Sequence, residues 1–151
     1  MVYGTVYTVP KEIGMVDIST FGAILLHVRD PFLALQNALR LTRETVIITD
    51  SYEDFRNRFL SVLRLSPELV DRHPILLRGL RRRAEMQFVP TPQAPGYADT
   101  WWNISPESLR RMITVLGFEK ISISYHWQKY GNKKVRLYTL VGHRTQDYYN
   151  Y

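Results

Sequence analysis

The sequence contains no cysteine, which excludes a disulfide framework and thiolate metal sites. Its apolar runs are all shorter than the roughly 20 residues that a membrane-spanning helix needs. The first residues, MVYGTVYTVPKEIG, lack the basic and then apolar pattern of a signal peptide. Glu53, Asp54, His73 and His126 show no metal-ligand spacing. We therefore expect a cytoplasmic protein with no membrane partner and no metal site.

The length and composition indicate one globular domain with a basic surface. The chain has 151 residues and a net charge of +6, with 20 Lys and Arg against 14 Asp and Glu. Such a balance can favour a nucleic-acid or other anionic partner, or it can simply be a basic soluble surface. The basic clusters at 78–83 and 129–136 match no nucleic-acid-binding motif. A nucleic-acid partner is therefore kept only as an alternative.

A mostly apolar run and a second apolar segment flank a helical pattern in the first third of the chain. The run from Val16 to Leu26 and the segment ETVIITD at 44–50 are typical of central strands in a parallel sheet. Between them, Asp30 and Pro31 predict an N-cap and a first helical residue, and the spacing predicts a helix over 31–42. This order is that of a βαβ unit.

The C-terminal part of the sequence predicts a helix followed by a hairpin. Ser105 and Pro106 repeat the N-cap and proline signal, and an apolar stripe follows them. EKISISYHW at 119–127 alternates strictly and pairs, across YGNKK, with VRLYTLVGH at 135–143 in an antiparallel hairpin. Residues 51–100 are predicted to form an insertion of two helices and a proline-rich loop.

In this order, the segments resemble the C-terminal half of a class I S-adenosylmethionine-dependent methyltransferase of the small-molecule type. VYGTVYTVP (2–10) matches strand 3, and MVDISTFGAILLHVRDPFLALQNALRLT (15–42) matches strand 4 with its helix. ETVIITD (44–50) matches strand 5. WWNISPESLRRMITVLGFEKISI (101–123) matches the last helix with strand 6, and VRLYTLVGH matches strand 7. The resemblance implies an α/β fold: a partial Rossmann-like sheet with strands 3 to 7 of the family order 3-2-1-4-5-7-6, the last antiparallel. Residues 1–151 would form a single truncated domain.

The resemblance also implies which residues face the cofactor. The family binds S-adenosylmethionine at the carboxyl ends of its strands, where the strand order reverses. The end of strand 4 would then place Ile24, Leu25 and Leu26 against the methionine end of the cofactor. Thr5 stands where the family often has an aspartate that binds adenine, but a threonine lacks the charged acceptor.

Candidate residues for the acceptor side are a histidine and two tryptophans. His27 is predicted as a catalytic residue that orients substrate or acts as a base; alternatively, it hydrogen-bonds nearby backbone. Trp101 and Trp102 are predicted to form an aromatic wall over a substrate, or else a hydrophobic staple at the helix start. Asp50 ends strand 5 and either faces the cleft or caps the local turn.

The sequence lacks the family's glycine-rich motif, because its eight glycines are all isolated. It also lacks the acidic residue that holds the cofactor ribose. Without strands 1 and 2, strand 4 has an exposed apolar edge, so we expect a homodimer or a complementary chain. The leading hypothesis is a methyltransferase-like protein for a small-molecule substrate that is inactive alone and binds S-adenosylmethionine weakly. The alternatives are a non-catalytic dimerising or partner-binding module and a subunit of an RNA methyltransferase.

Overall fold

The computed structural model describes residues 3–51, 84–91 and 99–146. Six strands and two α-helices occur in them: β1 (Val16–Gly22), α1 (Pro31–Leu39), β2 (Thr42–Ser51), β3 (Met86–Phe88), β4 (Trp102–Ile104), α2 (Pro106–Val115), β5 (Lys120–Tyr130) and β6 (Lys133–His143). The two helices predicted within the insertion lie at 52–83, outside the described residues.

The main sheet has four strands in the order β1-β2-β6-β5. β1 and β2 are parallel, whereas β6 runs antiparallel to both β2 and β5. This is the 4-5-7-6 part of the predicted order, with the predicted antiparallel strand, so the mixed α/β fold class is confirmed. β3 and β4 form a separate antiparallel pair.

Both helices begin where the sequence signals placed them. The Asp30 carboxylate accepts a hydrogen bond from the Leu33 N–H at 2.9 Å, and Pro31 takes the first helical position of α1. In α2, the Ser105 hydroxyl accepts from the Ser108 N–H at 3.2 Å. Each cap satisfies a backbone donor that the helix itself leaves without a partner.

The core lies between the two helices and one face of the main sheet. Its fully buried members from β2, β6, α1 and α2 include Val46, Ile48, Tyr138, Leu140, Leu35, Leu39, Leu109 and Ile113. Gly142 of β6 allows α2 to approach the sheet closely, since a Cβ there would lie 2.7 Å from Ile113 Cδ1. Along β2, buried residues alternate with less buried ones, as expected for a strand that helices cover on one face.

β1 is an edge strand of the described sheet. It pairs only with β2, and its other edge has no strand partner within residues 3–51, 84–91 and 99–146. Ile18 of β1 is 55% exposed, which is unusual for an apolar strand residue. The free edge and its exposed isoleucine together leave a surface on which a further strand can pair.

The first predicted strand boundary was wrong, because β1 ends at Gly22 and does not continue to Leu26. Ala23 follows with a positive φ of 48°, and Leu25–His27 form a short 3-10 turn in which Leu25 is fully buried. The apolar run therefore has two parts: a strand, and a turn that sends one leucine into the core.

The strand expected at residues 2–7 is also absent from the described residues 3–10. A turn replaces it, closed by a hydrogen bond of 3.0 Å from the Thr8 N–H to the Thr5 carbonyl. The Tyr7 hydroxyl accepts hydrogen bonds from the backbone N–H groups of Arg29 and Asp30, at 2.7 and 3.2 Å. The segment therefore packs at the start of α1 instead of joining the sheet.

Candidate active site at the carboxyl end of the sheet

Three segments distant in sequence meet at the carboxyl ends of β1 and β2. The 3-10 turn follows β1, and Asp50 lies next to the end of β2. The Ala23 N–H donates to the Thr49 carbonyl at 2.8 Å, and the Trp101 N–H donates to the Leu26 carbonyl at 2.8 Å. These two bonds tie β2 and the start of β4 to the turn. In open α/β sheets, this end of the strands is where ligands bind.

His27 is exposed on the turn, and its ring is oriented by the chain that leads into β4. Its Nδ1 forms a hydrogen bond with the carbonyl of Asp99. Since a carbonyl oxygen only accepts, Nδ1 must carry the proton. In the neutral ring, Nε2 is then the basic nitrogen. The structure thus shows the backbone bond that was one of the two interpretations of His27, and that bond leaves Nε2 able to accept a proton.

Asp50 is a buried carboxylate beside this turn. Its side chain is only 2% exposed, and one carboxylate oxygen accepts from the Ser51 N–H at 2.7 Å. Burial raises the pKa of Asp50 to about 6, although the Ser51 hydrogen bond and the charge of His27 both act to lower that pKa. Asp50 therefore makes a bond to its neighbouring backbone N–H, and whether it faces the cleft stays a prediction.

Three aromatic rings cluster around the pairing of β3 with β4. The centroid of the Phe88 ring lies 6.1 Å from that of Trp101 and 5.3 Å from that of Trp102. The Trp102 Nε1–H donates to the Arg29 carbonyl at 3.0 Å. The staple position directly before the Ser105 cap belongs to Ile104, so neither tryptophan occupies it.

The residues predicted to bind the cofactor do not share one environment. Leu25 is fully buried, so its side chain contributes to the core, whereas Ile24 is 42% exposed and Leu26 is half-buried. Thr5 is exposed in the N-terminal turn, where its hydroxyl hydrogen-bonds that of Thr8 at 3.0 Å. Their roles in cofactor binding stay predictions.

Sequence reasoning missed two residues of this region. The sequence patterns singled out neither Arg29 nor Phe88, and Phe88 falls in the segment predicted as an insertion with a proline-rich loop. The alternation that would have revealed Phe88 is only three residues long, as Met86–Phe88.

No group of three His, Asp or Glu residues within the described ranges is arranged to hold a metal ion. The helices in those ranges lack the length and hydrophobicity of a membrane span.

Comparisons with known proteins find likeness in structure but not in sequence. No protein-family model and no curated protein matches the sequence. The N-terminal domain of EvdMO1, solved with bound S-adenosylhomocysteine, matches with a TM-score of 0.56 and 20% identity, over 95% of this chain and 53% of that one. Magnesium protoporphyrin IX methyltransferase (ChlM) from Synechocystis PCC 6803, also with bound S-adenosylhomocysteine, matches with a TM-score of 0.51 and 13% identity, over 94% of this chain and 49% of that one.

These identities are too low to show more than the fold. The chain spans about half the length of both neighbours. Its four-stranded sheet and covering helices share the fold of these two structures.

Proposed function

We propose that this chain forms the acceptor side of an S-adenosylmethionine-dependent methyltransferase that acts on a small molecule. The observation that carries the proposal is the sheet order β1-β2-β6-β5 with one antiparallel strand, in a fold shared with two structures that bind S-adenosylhomocysteine. Polar and aromatic residues gather at the end of this sheet where ligands bind in open α/β folds. The proposed function therefore rests on both the strand order of the sheet and the position of these residues.

The proposed chemistry is alignment of the acceptor, assisted by one proton transfer. When bound, S-adenosylmethionine would supply the methyl group. In this chain, His27 Nε2 takes the proton that an acceptor hydroxyl or amine must lose. Trp101 forms a wall that holds the acceptor in line for transfer. Buried Asp50, when ionised, stabilises the positive charge that His27 gains.

The described residues do not by themselves fit the cofactor. The sequence has no glycine-rich motif for close backbone approach, and Thr5 offers an uncharged hydroxyl in a turn. The free edge of β1 lies where a further strand would continue the sheet. We therefore propose that another segment, in the same polypeptide or in a second chain, pairs with β1 and supplies the cofactor-binding loop.

Titration calorimetry with S-adenosylmethionine and S-adenosylhomocysteine tests this division of roles. The 151-residue chain is expected to show no submillimolar binding of either compound. The segment that the proposal requires is a strand followed by a glycine-rich motif, carried by the same polypeptide or by a second chain. Adding that segment should restore binding of S-adenosylhomocysteine. Submillimolar binding by the 151-residue chain alone would overturn the proposed division.

A non-catalytic dimerising module is the second candidate, and the exposed edge of β1 specifically favours it. Ile18 is 55% exposed on a strand that, within the described residues, has no strand paired along one of its edges. In the absence of another segment, two copies can pair through this edge. The RNA methyltransferase alternative is supported only by the net charge of +6.

The isolated chain is expected to dimerise through β1, and Ile18→Lys should shift it to monomer. A lysine on an edge strand opposes strand pairing because its charge would be placed in the interface. Val115→Lys is the matched control, since it adds the same charge at a 48% exposed site on α2. Sedimentation equilibrium well above micromolar concentration measures both variants. A monodisperse wild-type monomer, or equal effects of both lysines, would refute pairing through β1.

A further inference from the structure

An exposed aromatic surface lies on the segments that are hydrogen-bonded to the turn carrying His27. Phe88 is 53% exposed even though its ring contacts both Trp101 and Trp102. The two tryptophans are half-buried, and hydrogen bonds hold the start of β4 against the turn that carries His27. Trp102 packs against the core on one side and contacts Phe88 on the other, and the phenyl ring of Phe88 stays accessible to solvent. Such a ring offers a flat apolar face for stacking with another aromatic group.

Arg29 places a positive charge next to these rings. Its guanidinium carbon lies 5.2 Å from the centroid of the Trp101 ring, in a cation–π arrangement. Its backbone is fixed on both sides, because its N–H donates to the Tyr7 hydroxyl and its carbonyl accepts from Trp102 Nε1–H. None of the ion pairs within the described ranges involves Arg29. Its guanidinium is therefore preorganised and available to an anion from outside the chain.

We propose that the methyl acceptor is a flat aromatic molecule that carries an anionic group. Its ring stacks on Phe88, and its anion pairs with Arg29 above Trp101. Both residues contact Trp101, whose N–H is hydrogen-bonded to the turn that carries His27, and His27 Nε2 receives the acceptor proton in the proposed reaction. The net charge of +6 attracts such a ligand from a distance. This acceptor class rests on the proposed methyl transfer, but its binding can be measured without any cofactor.

Three probes separate the contributions of ring and charge. 2-Naphthoate has both features, 2-naphthamide keeps the ring without the charge, and cyclohexanecarboxylate keeps the charge without the aromatic ring. Ligand-observed NMR at millimolar probe concentrations gives the dissociation constant of each. We expect 2-naphthoate to bind at least about fivefold more tightly than either partial probe, since stacking and a charge-assisted hydrogen bond each contribute modestly at an open site.

Two substitutions test the assigned residues. Arg29→Gln should weaken 2-naphthoate about fivefold and leave 2-naphthamide unchanged, and Phe88→Leu should weaken both naphthyl probes several-fold. Arg43→Gln is the control, because Arg43 is an exposed arginine that pairs with Asp17 near the amino ends of β1 and β2. Circular dichroism checks that each variant is folded.

The outcomes distinguish this inference from the proposed function. Equal binding of 2-naphthoate and 2-naphthamide, equal effects of the two arginine substitutions, or no binding of any probe would each overturn the aromatic-anion site. If the site binds 2-naphthoate as expected but no added segment restores S-adenosylhomocysteine binding, the methyltransferase proposal fails while the binding site stands. If the cofactor binds and the naphthyl probes do not, only the acceptor class fails.

Discussion

Asp50→Asn should stabilise the protein at neutral pH by up to about 3 kcal/mol and have little effect near pH 4. Burial raises the pKa of Asp50 from 3.8 to about 6, so ionisation of this carboxyl is harder in the folded state than in the unfolded chain. Between those two pKa values the folded state binds more protons, and the free energy of unfolding falls as the pH rises. Above about pH 6 the full cost of the buried charge is present.

Asparagine has nearly the same shape as aspartate and stays neutral at every pH. Its side-chain oxygen can still accept from the Ser51 N–H, which removes the charge without removing that hydrogen bond. Urea unfolding of the wild type and the variant from about pH 4 to about pH 8 measures the difference between them. That difference should grow steadily between about pH 4 and about pH 6 and then level off.

Asp17→Asn is the matched control for the same chemical change. Asp17 is an exposed carboxylate of the same sheet and pairs with Arg43 at 3.4 Å, in an ion pair that solvent screens. Its substitution should change the unfolding free energy little at any pH in the range. A difference between wild type and Asp50→Asn that stays flat with pH would show that Asp50 is not a costly buried charge.

If Asp50→Asn is the more stable protein, its carboxylate is retained at a cost in stability. A buried charge of this kind is typical of a site where charge is used, since active sites are where pKa values are commonly displaced. The ionised Asp50 would then lower the stability of the fold while it places a negative charge near His27. The result would support the proposed role of Asp50 in stabilising a protonated histidine.

Local signals in the sequence predicted the helix starts and the hairpin. Asp30 with Pro31 and Ser105 with Pro106 act within one helical turn, so their effect needs no knowledge of the rest of the chain. The strict alternation at 119–127 likewise requires only the period of a strand. The same segments also gave the predicted strand order, because that order came from their resemblance to the methyltransferase family.

The sequence could not predict where β1 ends, because a continued strand and a turn both bury apolar side chains from this segment. FGAILL is apolar throughout, and a buried strand and a turn that directs one leucine into the core have the same composition. The break is set by Ala23, whose positive φ of 48° is unusual for alanine and carries no sequence signature. The predicted positions of Ile24 and Leu25 relative to the cofactor depended on that boundary.

Much of the candidate site depends on contacts between segments far apart in sequence. Phe88 meets Trp102 only because β3 pairs with β4, and His27 is oriented by the carbonyl of Asp99. Neither contact follows from local propensity. Likewise, VYGTVY favours a strand by composition, but the Tyr7 hydroxyl accepts the N–H groups that precede α1 and the segment packs there instead. Tertiary hydrogen bonding outweighs β-propensity at this point.

Gly117→Ala should destabilise the protein by about 3 kcal/mol, because two separate costs meet at this residue. Gly117 lies two residues after the end of α2 with a φ of 90°, and the Phe118 N–H donates back to the Ile113 carbonyl at 3.0 Å. An alanine there adopts an unfavourable backbone conformation. Its Cβ would also lie 2.7 Å from the backbone oxygen of Gln146. The chain at 145–146, whose two backbone N–H groups donate to the Gly117 carbonyl, would have to move.

Gly131→Ala separates these two costs. Gly131 also has a positive φ, at 57°, but a Cβ built there meets nothing within 4 Å. This variant should lose only about 1 kcal/mol, the backbone cost alone. Urea unfolding at one pH measures both variants against the wild type, and the excess loss in Gly117→Ala reports the contact with Gln146. Equal losses would mean that the chain after β6 shifts freely and that this contact does not help to hold α2 against the sheet.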